Sequence, residues 1–229
     1  MKLLKRIFLL SILMIIIGIG ASLTLKAAIG VMGFDALTQS ISFLSGIKVG
    51  TVGMILNCSF VLGQWILLRK DFNFRHLLQV PMSILIGIVI NFIFYDVLGS
   101  FIFDHYIVKL ILLLVALIIL AFAIGAVMAL DVVTFALEGF CMALAKKTKW
   151  NFVLVRQGID IVCILLVILL TFGFSLQLTI REGTIIGMLT LAPLMGYFMK
   201  RIQPVFRKLG LTNEEVEKID ANKNSVKAV

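Results

Sequence analysis

Charged residues cut this chain into long apolar runs. Dividing it at every Asp, Glu, Lys and Arg, and at His76, leaves six uncharged stretches of spanning length: residues 7–25, 49–68, 77–95, 110–130, 161–180 and 183–199. A hydrocarbon core of about 30 Å requires roughly 20 helical residues. The runs hold between 17 and 21, so each predicts one transmembrane helix. Two further apolar segments, 31–47 and 132–145, predict helices of about 14 residues, or roughly 21 Å, which is too short to cross. Each carries one acid, Asp35 or Glu138.

The order span, short helix, span, span therefore occurs twice. Sliding the chain by 103 positions places Asp35 on Glu138, Asn57 on Asp160 and Leu62 on Leu165. A slide of 105 places Ile19-Gly20-Ala21 on Ile124-Gly125-Ala126. Three spans per half is an odd number, so the halves insert upside down relative to each other. The expected fold is an all-α polytopic membrane protein with six transmembrane helices in two inverted three-helix repeats, each with a short re-entrant or interfacial helix. A single transmembrane domain covers 1–200, with repeats at about 7–99 and 107–200, and a short cytosolic tail covers 201–229. In that tail Thr212 and Glu215 form a capping-box pattern that predicts a helix to about Ala221, set apart from the last span by Pro204.

Composition agrees with this pattern. Of 229 residues 61% are hydrophobic and 14% charged, where a soluble domain is about half apolar and a quarter charged. Lysine and arginine set the orientation: with the N-terminus inside, fourteen flank the inner ends of the spans and four the outer ends. Both termini are therefore expected in the cytoplasm. The net charge of +9 comes from these short flanking runs and implies no nucleic-acid face. Lys2, Lys5 and Arg6 before an apolar run imitate a signal peptide, but the 19 uncharged residues that follow exceed an h-region of about 7–15 and read as a first span. Cys58, Cys141 and Cys163 have no metal-like or redox-like spacing.

Candidate chemistry lies in the polar residues that fall inside apolar segments. Arg156 and Asp160 are four apart and share a helix face. Asp35 and Glu138 sit in the first turn of the two short helices, where an acid complements the helix dipole. Asn57, Gln64 and Asn91 carry amides that need partners in hydrocarbon. In the stretch IREGTIIGMLTLAPLMGYFMK, Arg181 and Glu182 belong at the outer interface, whereas Pro193 lies mid-span and frees a backbone carbonyl near Leu189. The predicted substrate or ion pathway is accordingly Asp35, Asn57, Glu138, Arg156, Asp160 and Pro193. No enzyme signature, metal site or cofactor motif is present, so no catalytic residue and no cofactor is expected.

The segments GIGASLTLKAAIGVMGFDALTQSISFLSGIKVGT, ALEGFCMALAKKT, VRQGIDI and IREGTIIGMLTLAPLMGYFMKR together resemble the YczE/YyaS/YitT group of bacterial integral membrane proteins, over about Ile15 to Arg201. That resemblance implies an acid near a turn in each half, matched by Asp35 after Gly33-Phe34 and by Glu138 before Gly139. It also implies a Gly-Thr before the last span of a half, matched by Gly183-Thr184. The first half departs from it with Leu78-Gln79, and the prolines expected near both acids are missing. The soluble C-terminal domain of the YitT branch is absent, so the short YczE-like form is nearer. The resemblance speaks to architecture rather than activity. The leading expectation is a small-molecule or ion permease of secondary-transporter type, and the alternative is a membrane-embedded regulatory or assembly partner without transport. Expected partners are the lipid bilayer and an unidentified small polar or ionic substrate, with homo-oligomerisation left open and nucleic acid excluded.

Overall fold

A computed structural model of the protein describes residues 2–211. Its elements are α1 (Lys2–Ala27), α2 (Gly33–Ser45), α3 (Val49–Leu68), α4 (Gln79–Asn91), α5 (Tyr106–Leu130), α6 (Ala136–Thr148), α7 (Phe152–Phe174) and α8 (Glu182–Lys208), with α4 prolonged by a π-helical turn over Phe92–Val97. The six longest helical runs, all but α2 and α6, are long and apolar enough to cross a bilayer. This is a multi-pass membrane protein.

Two expectations need correction. The fifth span is α7, which starts at Phe152 rather than residue 161 and ends at Phe174 rather than residue 180. Asn151 starts it, its side-chain oxygen accepting from the Val153 N–H at 3.0 Å, so Arg156 and Asp160 lie within the helix near its start, on the shared face expected of them. The last helix passes through both Pro193 and Pro204 to Lys208, so Pro204 does not end it. The tail helix expected from Thr212 lies outside the described residues.

The core forms where α1 and α5 meet. Leu13, Met14 and Ile17 are buried with Leu117, Leu120 and Ala121, and Gly20 lets the helices close: a Cβ there would sit 2.8 Å from Leu120. α1 also packs on α4, α5 on α8, α3 on α4 and α6, and α2 on α3 and α7. No comparable packing joins α7 to α8 among the described residues. The contrast with α3 and α4 is sharp, because there a Cβ on Gly50 would collide with the Gly87 carbonyl.

Backbone groups at helix ends have no water to turn to inside a bilayer. At the start of α3 no side chain of its own segment caps the helix. Instead Tyr95 Oη accepts from the Val49 N–H at 3.1 Å and Asn91 Oδ1 from the Gly50 N–H at 2.8 Å, while Asn91 Nδ2 donates to Thr51 Oγ1 at 2.9 Å. The π-helical turn begins just after Asn91 and carries Tyr95. α1 and α5 end alike, in the left-handed residues Ala28 (φ 53°) and Asp131 (φ 47°). A guanidinium answers the terminal carbonyls at each: Arg181 donates to Ala28 O at 3.1 Å and Arg6 to Leu130 O at 2.8 Å, positive charge at the negative end of a helix dipole.

Asn91→Ala leaves the Gly50 N–H without its acceptor and is expected to destabilise the protein by about 1–3 kcal/mol. Gly50→Ala should cost a similar amount, about 1–3 kcal/mol, by overpacking. Thermal unfolding in detergent, with Asn57→Ala as a control whose amide bonds only its own helix, checks both.

Candidate functional site

Two loops place the site. The stretch 175–181 after α7 is non-helical and bonds the α1–α2 connection, the Val31 N–H donating to Thr179 O at 3.3 Å. Thr184 Oγ1 donates to Val31 O at 2.8 Å and the Gly183 N–H to Ile29 O at 2.7 Å. Ser40 and Thr179 share a hydroxyl hydrogen bond at 3.1 Å. Held this way, α2 brings its first turn onto α7, where a Cβ on Gly33 would lie 3.4 Å from Asp160 O.

The start of α6 is held by amides. Gln64, fully buried in α3, donates through Nε2 to Ala136 O at 2.9 Å and to Gln79 Oε1 at 2.8 Å. Gly139 is needed there, since a Cβ would stand 2.6 Å from Gln64 Oε1. Phe34 of α2, Phe60 of α3 and Phe140 of α6 meet in sequence as tilted rings, with centroids 5.9 and 5.4 Å apart. They fix the two short helices against the same stretch of α3.

The consequence is convergence. Glu138 Oε1 lies 3.6 Å from Arg156 Nε, and Asp160 Oδ1 pairs with Arg156 Nη1 one turn along α7. All three side chains are half-buried, with Arg156 the most enclosed at 22% exposed. Asp35, in the first turn of α2, stands close enough to feel the charges of Arg156, Asp160 and Glu138. Among the described residues it makes no hydrogen bond or ion pair of its own. Burial raises the Asp35 carboxyl to about 6, Arg156 opposes the rise, and the neighbouring acids add to it. With all groups ionised, three carboxylates face one guanidinium, a net of −2. The positive ends of two helix dipoles offset part of that excess. Such a site favours a proton or another cation.

The remaining predicted residues stand apart from this cluster. Asn57 donates to Gly53 O at 2.9 Å, a bond within its own helix. Pro193 is exposed on the outer surface of α8. Gly187 of the same helix instead lines, with Asp35, a narrow cleft with room for roughly one water. The sequence reading missed the loop that places α2, although buried threonines at 179 and 184 in apolar surroundings were a signal, since a hydroxyl in hydrocarbon needs a partner.

Residues 4–200 match the model of a family of unknown function, DUF6198. The chain belongs to that family. No curated protein and no solved structure matches it. The DUF6198 match spans every helix of the charged cluster, α2, α6 and α7, so the convergence lies within the family's own region.

Removing the single cation of the cluster exposes the repulsion among its acids. Without Arg156 the Asp35 and Glu138 carboxyls, already raised by burial, rise further above their unfolded values, so stability is kept at low pH and lost as pH rises through the folded-state values. Arg156→Gln should therefore melt near wild type at pH 5 and be destabilised by about 1–3 kcal/mol at pH 8, less than a fully buried pair because the groups are half exposed. Melting temperatures in detergent at the two pH values test this, and an equal deficit at both would contradict it.

Proposed function

We propose that the protein is a small secondary-transporter-like permease for a small polar or ionic molecule, with two inverted repeats formed by α1–α4 and α5–α8. The packing supports the repeat: α1 sits on α4 as α5 sits on α8, and the short helix of each half packs on the third helix of the other, α2 on α7 and α6 on α3. An offset of 103 relates the starts of the short helices (Gly33 and Ala136), their acids (Asp35 and Glu138) and the left-handed residues that end α1 and α5 (Ala28 and Asp131). In this reading both termini are cytoplasmic, the membrane is the bacterial cell membrane, and the chemistry is binding and release rather than catalysis. The short YczE-like architecture is consistent with it.

The observation that carries the proposal is the meeting of the first turns of two non-spanning helices at one arginine with an excess of carboxylates. Discontinuous helices whose ends face a central ion or substrate are the recurring device of secondary transporters. Ionisable groups kept inside a membrane bundle mark ion or proton paths. Asp35, with no fixed partner, is the proton or cation carrier, Glu138 shares the load, and Arg156 with Asp160 sets the local potential.

Metabolite profiles of cells lacking the protein, compared with cells overproducing it, should differ in a small set of compounds. Asp35→Asn and Glu138→Gln should each abolish the difference while the protein stays folded and inserted. If the profiles do not differ, or if both variants behave as wild type, the protein is a packing or regulatory partner and not a permease.

A further inference from the structure

The narrow cleft beside Asp35 selects by what it lacks. Leu113, Leu117 and Leu120 of α5 make much of its lining apolar, and Thr24 and Asp35 are the lining side chains that carry oxygen. Thr24 Oγ1 donates its own hydrogen to Ala21 O at 2.8 Å, so it faces the cleft as an acceptor. Together with the Asp35 carboxyl it offers one water two polar partners, enough to hold a water in such a place.

A metal cation stripped of its hydration shell needs about six oxygen ligands. Besides the carboxyl and the Thr24 hydroxyl, the nearby backbone oxygens are already engaged. Ile29 O accepts from the Gly183 N–H at 2.7 Å, Val31 O from Thr184 Oγ1 at 2.8 Å, and Met32 O from the Ala36 N–H at 2.7 Å. Glu138 and Asp160 are drawn to Arg156 and do not line the cleft. A proton needs neither a ligand shell nor more room than one water.

The charges around Asp35 are few. Arg156 and Asp160 act on it from α7 and Glu138 from α6, while α3 carries no charged side chain. At the start of α8, Arg181 and Glu182 lie 3.6 Å from each other. Lys26 of α1 is turned to Gly99 O and the Phe94 ring. The Cys163 thiol of α7, packed with Ala36 and Leu37, is neutral at acid pH.

Building on the permease reading, we infer that the coupling ion is a proton, delivered to Asp35 through the one-water cleft, and that metal cations are excluded there for want of ligands and room. A hydronium in the cleft transfers its proton to an Asp35 carboxylate oxygen and leaves a neutral water hydrogen-bonded to Thr24. Loading removes part of the negative excess shared by Asp35, Glu138, Asp160 and Arg156, so proton binding changes the potential that a cargo meets at the cluster.

The full chain in proteoliposomes on a solid-supported membrane reports loading as a transient charge displacement, with empty liposomes subtracted. A jump from about pH 8 to about pH 5 at constant sodium should give such a transient, half-maximal at about pH 6, where burial places the Asp35 carboxyl. Asp35→Asn should abolish it, and Asp35→Glu should restore one, which separates a lost titrating group from a lost fold. Thr24→Val keeps every carboxylate but removes the acceptor for the water, and should slow the transient severalfold. A sodium jump at constant pH should give none. The assignment is overturned by a folded wild type without a proton transient, by one that survives Asp35→Asn or is unchanged in Thr24→Val, or by a comparable sodium transient that Asp35→Asn removes. If any of these occurs while the metabolite differences still depend on Asp35 and Glu138, the coupling ion alone fails. If the proton transient behaves as expected and the metabolite profiles do not differ, the permease reading fails and the proton site stands.

Discussion

Every helix that starts or stops inside an apolar bundle leaves backbone N–H or C=O groups that lipid cannot hydrate. The architecture follows from how those ends are answered. The first N–H groups of α3 are met by Asn91 and Tyr95 from α4, and the closing carbonyls of α1 and α5 by arginines from remote segments. The carbonyls just ahead of and at the starts of α2 and α6 are met by Thr184 and Gln64. These bonds pin the short helices where their first turns face α7.

Charge placement follows from that. Arg156 is tolerable within a spanning helix because Asp160 lies one turn away and Glu138 comes to it from α6. Isolated, its guanidinium would be costly in hydrocarbon. The cluster is nonetheless not neutral, and the asymmetry leaves Asp35 as the acid with no fixed counter-ion. A structural ion pair would end with the charges balanced. The surplus of carboxylates sets this arrangement apart from a balanced structural pair.

Much of the fold was legible because lipid imposes one rule on length and polarity, and six apolar runs obeyed it. The boundaries of α7 were not, because the uncharged run begins only at residue 161, whereas the helix begins at Phe152 and carries Arg156 and Asp160 inside it, the arginine paired with Asp160 and with Glu138. The run 175–180 is uncharged, yet it is not helical, and Thr179 is bonded to a loop about 150 residues earlier that no local pattern encodes. The acids of the site were legible one by one, as first-turn residues of short helices and as an i,i+4 pair. Their meeting was not, since it depends on α2 reaching α7 and α6 reaching α3. Asn57 shows the limit of face arguments: the small and polar stripe it shares with Gly53 is real, but its amide bonds the Gly53 carbonyl within α3. Pro193 shows another, because a mid-span proline marks a freed carbonyl and says nothing about which side of the helix faces inward.

The π-helical turn over Phe92–Val97 separates chain length from helix phase. Such a turn holds one residue more than the α-helical path between the same flanking positions. Loss of one residue there would tighten the backbone to α geometry and leave α4 facing α1 and α3 as before, whereas the same loss elsewhere in α4 would rotate every later side chain by about a quarter turn or more. The wide turn thus acts as a phase buffer, letting the C-terminal end of α4 vary in length without disturbing the glycine contact between Gly50 and Gly87.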